Sequence, residues 1–140
     1  MDIPSKLQLQ IVSADRSLVN ERVDEVEIPG AGGYFGVLPG HAPLLALLGA
    51  GELWYRIGQN KVYLVIAFGF AEVLPDRVTI LAQIAERADE IDVARAEAAK
   101  RRAEDRLASP HPDMDFERAR VALMKALIRL QVASRARIRG

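Results

Sequence analysis

The sequence predicts an α+β protein in which an N-terminal antiparallel β-sandwich, residues 1–88, is followed by a C-terminal antiparallel two-helix hairpin, residues 89–140. Nine of the ten glycines and every aromatic residue except Phe116 lie before residue 89. Short apolar runs separated by turn residues fill this first part, whereas long Ala/Arg/Glu stretches fill the second. Many short strands with frequent turns are typical of sandwiches and barrels, and glycine-free alanine-rich segments favour helices.

Strands are predicted where apolar residues lie between turn residues. Leu7, Leu9 and Ile11 alternate with glutamines, which is the period of a half-buried strand. A strand at 23–28 is expected to stop at Pro29-Gly30. Two hairpins follow: one pairs 53–57 with 61–68 across Gly58-Gln59-Asn60, and the other pairs 72–74 with 78–81 across Pro75-Asp76-Arg77.

The rest of the chain predicts two helices. We expect Asp89 to cap the first, the Ser109-Pro110-His111-Pro112 run to end it, and Asp115 to cap the second. Because alanine methyls bury little surface, this hairpin should pack closely but hold weakly. The expected apolar faces are Ala96, Ala99, Ala103 and Leu107 in the first helix, and Phe116, Ala119, Leu123, Ala126, Leu130 and Ala133 in the second, which carries Val121, Met124 and Ile128 as a further strip.

Composition narrows the class of protein. Half of the 140 residues are apolar and there is no cysteine, so disulfides and thiolate chemistry are excluded. The longest apolar run, 62–71, is shorter than the roughly 20 residues of a membrane span. No secretory signal is expected at the N-terminus, which fits a cytoplasmic location.

Enzyme-like motifs are weak. The glycines at 30, 32, 33 and 36 match neither a Rossmann nor a P-loop spacing, which favours a turn. The only histidines are His41 and His111, so neither a metal site nor independent catalysis is expected. His41 is expected to serve as a structural hydrogen-bonding residue in a proline-rich turn.

Positive charge is concentrated in the last segment of the chain. Residues 116–140 carry seven Lys/Arg and one Asp/Glu, a net charge of +6, which indicates either an acidic partner or a solvated basic face. Arg118, Lys125 and Arg129 are spaced by seven and four residues, so they should share one side of the second helix. In an antiparallel hairpin, Asp92 and Arg95 would lie near Lys125 and Arg129. Such a group could bind a nucleotide through its phosphates or form an inter-helix salt-bridge network.

Three motifs resemble a known family. The stretch Gly36-Val37-Leu38-Pro39-Gly40-His41-Ala42-Pro43-Leu44-Leu45 resembles the signature of the epsilon subunit of F-type ATP synthase, the counterpart of the mitochondrial delta subunit. The stretches Phe68-Gly69-Phe70-Ala71-Glu72-Val73 and Val78-Thr79-Ile80-Leu81-Ala82 are similar to the strands that follow it, and Ile91-Asp92-Val93-Ala94-Arg95-Ala96 resembles the start of its first C-terminal helix. The resemblance runs from about Leu7 to Leu130.

The resemblance implies a non-catalytic rotor subunit with no required cofactor. Its sandwich would bind the gamma subunit and the ring of c subunits, on the cytoplasmic side of the bacterial plasma membrane and without direct membrane insertion. Its helices would inhibit ATP hydrolysis when extended into the alpha and beta subunits, and ATP is a possible regulatory ligand of the folded hairpin.

The resemblance also implies site residues. ATP binding would involve Glu86, Ile91, Asp92, Arg95, Ala96, Lys125 and Arg129, with Lys125 standing where an arginine is expected. Rotor contact would involve Ala31, Gly32, Gly33, Tyr34 and His41, and the inhibitory basic helix would use Arg118, Arg120, Lys125 and Arg129.

Two other functions are weighed against the rotor subunit. A basic-tail nucleic-acid-binding module predicts aromatic residues among the cations, but the second helix has only Phe116, so no nucleic-acid partner is expected. A small ATP sensor would use the same residues and differ only in its affinity for ATP.

Overall fold

A computed structural model describes residues 3–109 and 112–139, with side chains as far as residue 136. Pro110 and His111, in the predicted break, lie outside the described residues. The chain divides into two compact units between Arg87 and Ala88, one residue before the boundary expected from the sequence. The first unit holds strands β1 Leu7–Val12, β2 Ser17–Val23, β3 Glu25–Gly30, β4 Gly33–Val37, β5 Leu44–Ile57, β6 Asn60–Leu74 and β7 Arg77–Arg87. The second unit holds a 3₁₀ turn, Ala88–Glu90, and helices α1 Val93–Ala108 and α2 Phe116–Arg139, which confirms the predicted fold class.

The seven strands form one sheet in the order β2-β1-β7-β6-β5-β3-β4. Neighbouring strands are antiparallel with one exception, because β1 runs parallel to β7, with Gln8 opposite Arg77 and Val12 opposite Leu81. The predicted antiparallel sandwich therefore contains one parallel pair of strands. A parallel pair needs a crossover connection, and here strands β2 to β6 lie between β1 and β7 in the chain.

The sheet encloses its core by changing which face of each long strand points inward. In β6 the core residues are Leu64 and Ile66, then Ala71 and Val73, so the inward side shifts by one residue between them. The other long strands change at the same level, β5 between Leu48 and Leu53 and β7 between Ala82 and Ala85. Strands that bend between layers in this way close a sandwich around a single core.

The change of face in β6 occurs at Phe68 and Gly69, whose φ angles are 64° and 114°. A Cβ on Gly69 would lie 2.0 Å from the carbonyl oxygen of Leu81, so only glycine fits there. The two strands predicted at 61–68 and 72–74 are one continuous strand, which passes through this kink.

Asp24 joins three segments at one end of the sandwich. Its carboxylate pairs with Lys6, lies 3.7 Å from the Arg56 guanidinium, and accepts the Gly58 N–H at 2.6 Å. Arg56 also bonds Glu25 at 2.8 Å. The Lys6 hydrogen bond, helped by the Gly58 N–H, holds the pKa of Asp24 below its usual value.

Each helix starts at an aspartate. The Asp92 carboxylate accepts the Arg95 N–H at 3.0 Å, and the Asp115 carboxylate accepts the Arg118 N–H at 3.0 Å. The prediction for Asp115 is confirmed, whereas the prediction that Asp89 caps the first helix is wrong because Asp89 lies in the preceding 3₁₀ turn. The first helix ends at Ala108, with Ser109 as its C-cap, as the proline-rich break predicts.

Buried alanines form the seam of the hairpin. Ala96 and Ala103 are buried in α1, and Ala119, Ala126 and Ala133 are buried in α2, at the same seven-residue spacing. The helices contact each other, and α2 also contacts the 3₁₀ turn that precedes α1, which makes the pair antiparallel. Phe116 was expected in this seam, but its side chain is mostly solvent-exposed because it occupies the first turn of α2.

Candidate docking face and ligand groove

Four large apolar side chains are exposed together on the outside of the sandwich. Leu45, Leu47, Phe70 and Leu81 are 71%, 61%, 50% and 53% exposed, and we call them the apolar face. Leu47 lies opposite Phe70, and Phe70 lies opposite Leu81, so three neighbouring strands contribute one row. An exposed apolar row of this kind is typical of surfaces at which proteins bind partners.

The β3–β4 turn adjoins this face. Ala31 donates its N–H to the carbonyl oxygen of Leu47 at 2.8 Å, so the turn is bonded directly to the strand that carries the face. Ala31, Gly32 and Gly33 are exposed, as a contact turn requires. Tyr34 is also exposed, but its hydroxyl accepts the N–H of Glu52 at 3.0 Å.

His41 lies in the loop between β4 and β5. Its ring Nδ1 is 2.6 Å from the carbonyl oxygen of Ala42. Its backbone N–H donates to the carbonyl oxygen of Leu38 at 3.2 Å. The adjacent Gly40 has φ 88° and donates its N–H to the carbonyl oxygen of Pro75. The ring therefore has a local hydrogen-bonding role, as the sequence predicts.

A groove of about 510 Å³ runs along α2 within the helical hairpin. Arg118, Lys125 and Arg129 line it together, which confirms that these three cations share one side of the helix. Ala99 of α1, with Val121 and Ala122, contributes apolar surface, and Asp115 and Glu117 line one end. A groove with several cations and an apolar wall suits a phosphate-bearing ligand.

Arg120 does not line that groove. It pairs with Glu117 at 3.1 Å and borders a different, mainly apolar groove with Leu123, Met124 and Leu127. The Arg120 hydrogen bond lowers the pKa of Glu117, and Glu117 in turn raises the pKa of Arg120. The four cations expected to form one inhibitory set are therefore divided: three line the first groove, and Arg120 borders the second.

The remaining predicted ATP-site residues have clear places. Asp92 and Arg95 form the first turn of α1, and Ala96 is buried in the alanine seam. Ile91 is half-buried just before the cap, and Glu86 lies in β7 of the sandwich, opposite Val65. Asp92 and Arg95 are not among the side chains that line the groove beside Lys125 and Arg129.

The described part of the chain has neither a metal-binding cluster nor a membrane-spanning helix. Among the side chains of residues 3–109 and 112–136, no cluster of three or more histidine, aspartate or glutamate residues is placed to bind a metal ion. None of the helices in the described ranges has the length and apolarity that a membrane crossing requires.

The apolar face was not identified from the sequence. Two of its leucines, Leu45 and Leu47, belong to the continuous run Leu44-Leu45-Ala46-Leu47-Leu48, where outward and inward residues are equally apolar. Alternation therefore gives no sign of which residues are exposed. Only the register that sets Leu47 beside Phe70, and Phe70 beside Leu81, brings the four side chains together.

Comparison with known proteins agrees with both units. Residues 6–88 match the beta-sandwich domain of the ATP synthase delta/epsilon chain, and residues 89–134 match its long alpha-helix domain. The ATP synthase epsilon chain of Syntrophobacter fumaroxidans is 52% identical over 130 residues, which cover 93% of this chain and 97% of the relative. The epsilon chain of Solibacter usitatus is 47% identical over 133 residues, covering 95% and 99%.

Solved structures show the same fold. A chain in the cryo-EM structure of the Euglena gracilis mitochondrial ATP synthase (OSCP/F1/c-ring) has a TM-score of 0.72 at 26% identity, covering 99% of this chain and 84% of that one. A chain of the Tetrahymena thermophila mitochondrial ATP synthase central stalk and c-ring has a TM-score of 0.51 at 13% identity, covering 95% and 98%. With two matching domains in order and close relatives along nearly its whole length, the chain belongs to the ATP synthase delta/epsilon chain family.

Proposed function

We propose that the chain is a non-catalytic rotor subunit of a bacterial F-type ATP synthase, the epsilon subunit of its central stalk. It couples ion flow to ATP synthesis by joining the gamma subunit to the c-subunit ring, on the cytoplasmic side of the membrane. The observation that carries this proposal is the apolar face, because four exposed large side chains on neighbouring strands suit a permanent protein contact.

The docking proposal is tested by making the apolar face polar. Leu47→Ser combined with Phe70→Ser should weaken binding to a purified gamma–c-ring rotor about tenfold or more, because two anchors lose their apolar burial. Both side chains are exposed, so the chain should keep its unfolding midpoint. Ile57→Ser, an exposed apolar residue at the opposite end of β5, is the matched control. Equal rotor affinity for both variants would exclude this face as the docking surface.

We further propose that α2 restrains ATP hydrolysis through its cations when the hairpin extends toward the alpha and beta subunits. Replacing Arg118, Arg120, Lys125 and Arg129 by alanine should raise hydrolysis by the assembled complex, and added salt should have part of this effect through screening. The Arg101→Ala, Arg102→Ala double variant, which alters exposed cations of α1, is the control. Unchanged hydrolysis in the fourfold variant would leave α2 a solvated basic face.

ATP is proposed as a ligand of the folded hairpin, with Lys125 and Arg129 in the groove and Arg95 in the first turn of α1. A ligand that binds only the folded hairpin stabilises it by mass action. Isothermal titration should show binding that Arg95→Ala abolishes and that Lys125→Arg tightens, because a planar guanidinium can hold two phosphate oxygens. Absence of heat at millimolar ATP in both the parent and Lys125→Arg would exclude an ATP site.

A further inference from the structure

Tyr34 fills a gap in the ladder between β3 and β5. These strands pair from Glu25 to Glu27 and again only at Gly30, which lies opposite Leu48. Within the gap, Pro29 has no N–H to donate, and β5 has more residues than β3. The N–H of Glu52 lies in this stretch of β5, and the hydroxyl of Tyr34 accepts it at 3.0 Å. A side chain thus supplies the acceptor that an uninterrupted ladder would have provided.

The ring of Tyr34 lies directly over Gly51. A Cβ at Gly51 would stand 2.2 Å from the Tyr34 hydroxyl oxygen and 2.9 Å from both its Cζ and the Cβ of Pro29. Gly49 is also constrained, though less tightly, because its Cβ would lie 3.0 Å from the carbonyl oxygen of Gly30. The close approach of the β3–β4 hairpin to β5 therefore depends on small residues in β5 and on the tyrosine above them.

We infer that Tyr34 is a positioning residue that fixes the Ala31–Gly33 turn against β5 and so holds it in a constant place beside the apolar face. The turn has a second attachment, the bond from the Ala31 N–H to the carbonyl oxygen of Leu47. Because Leu47 belongs to the apolar face, the two attachments make the turn and the face one continuous surface. This inference rests on the proposed rotor contact, since a rigid turn matters only where a partner binds it.

The effect on binding follows from preorganisation. A turn that is already ordered loses little conformational freedom when a partner covers it. A turn released from β5 would have to be ordered at the moment of binding. Loss of the Tyr34 hydroxyl should therefore speed dissociation of the rotor complex more than it slows association.

The experiment compares Tyr34→Phe, which removes only the hydroxyl, with Tyr63→Phe, a tyrosine of β6 on the same sheet. Amide hydrogen exchange is measured on the full chain, and dissociation is measured from a purified gamma–c-ring rotor. In Tyr34→Phe, exchange at the Glu52 and Ala31 amides should rise about tenfold, and dissociation should quicken several-fold. The Tyr63→Phe variant should change neither.

A second pair of variants tests the packing over Gly51. Gly51→Ala should weaken rotor binding in the parent, where the new Cβ meets the tyrosine ring, and less so in a Tyr34→Ala background.

Unchanged Glu52 exchange in Tyr34→Phe would overturn the inference. So would raised exchange with unaltered rotor dissociation, because the turn would then be held in place without serving the contact. The proposed docking function is judged separately by the Leu47→Ser, Phe70→Ser variant, so failure of the turn and failure of the face are distinguishable.

Discussion

Phe68 has a left-handed backbone conformation, φ 64°, in the middle of β6. A residue with a Cβ pays roughly 1 kcal/mol for that conformation, whereas glycine does not. The kink is needed because it changes which face of β6 points to the core, from that of Leu64 and Ile66 to that of Ala71 and Val73. Backbone strain at this position is thus a cost of closing the sandwich.

Replacing Phe68 separates its packing from its backbone strain. Both Phe68→Ala and Phe68→Gly lose the half-buried ring, but the glycine variant should be more stable than the alanine variant by about 1 kcal/mol. Urea denaturation measures the difference. At Glu72, an exposed residue of the same strand with an ordinary backbone, the order should reverse, with glycine the less stable by about 0.5–1 kcal/mol. The same order at both positions would mean that the φ of Phe68 carries no strain.

Asp24 gives the sandwich a dependence on acid. Its folded-state pKa lies below the value of about 3.8 for a free side chain, so its contribution to stability is present above that pH and is lost as the pH falls through the folded pKa. Asp24→Asn should therefore be less stable than the parent at pH 7, and the two unfolding midpoints should converge below pH ~4. Urea titrations at several pH values check this. A constant gap down to pH ~2 would assign the loss to packing and not to ionisation.

At the scale of the element, the start of α1 depends on Asp92. Asp92→Ala should lower the stability of the helical hairpin by about 1 kcal/mol because the Arg95 N–H loses its acceptor, while Asp92→Ser should retain most of it. Asp89→Ala, three residues earlier in the 3₁₀ turn, is the control and should have little effect. Helical circular dichroism during thermal unfolding reports the result. A larger loss in Asp89→Ala would restore Asp89 as the cap.

The sequence predicts those elements in which local pattern and tertiary packing agree. The β5–β6 and β6–β7 hairpins are recovered because their turn residues are unambiguous. The strand β2 was not predicted, because Asn20, Glu21 and Arg22 hide its alternation, and the expected strand at 23–28 is divided because Val23 closes β2. The first half of β5 was missed because its apolar run has no period and follows proline-rich turns.

Site residues that lie on one helix can be predicted from the sequence, whereas those that lie on different strands cannot. The common side of Arg118, Lys125 and Arg129 on α2 follows from helical spacing alone and is predicted from the sequence, whereas the groove that they line is not. The apolar face and the bond between Tyr34 and Glu52 join residues of different strands, so they depend on sheet register, which the single sequence does not supply.

At the scale of the whole molecule, the two units should separate cleanly. Every strand of the sheet and its entire core cluster lie before Ala88. Residues 1–88 alone should therefore fold and bind the gamma subunit, and removal of residues 89–140 should abolish only the restraint on hydrolysis. Cooperative unfolding and co-purification with gamma test the two parts. A folded 1–88 fragment that no longer binds gamma would place the contact in the helices.

The parallel pairing of β1 with β7 has a consequence in time. Strand β1 is the first to be synthesised, yet one of its two neighbours is the last strand of the sheet. At a ribosomal speed of about 5–20 residues per second, β1 waits roughly 4–14 seconds for β7 to emerge. During that interval β1 can pair only with β2 among its two neighbours in the final sheet. Its other edge has unpaired backbone groups that could bond to a strand of another chain. The edge of β1 that later pairs with β7 is therefore open to incorrect pairing during synthesis, until β7 becomes available.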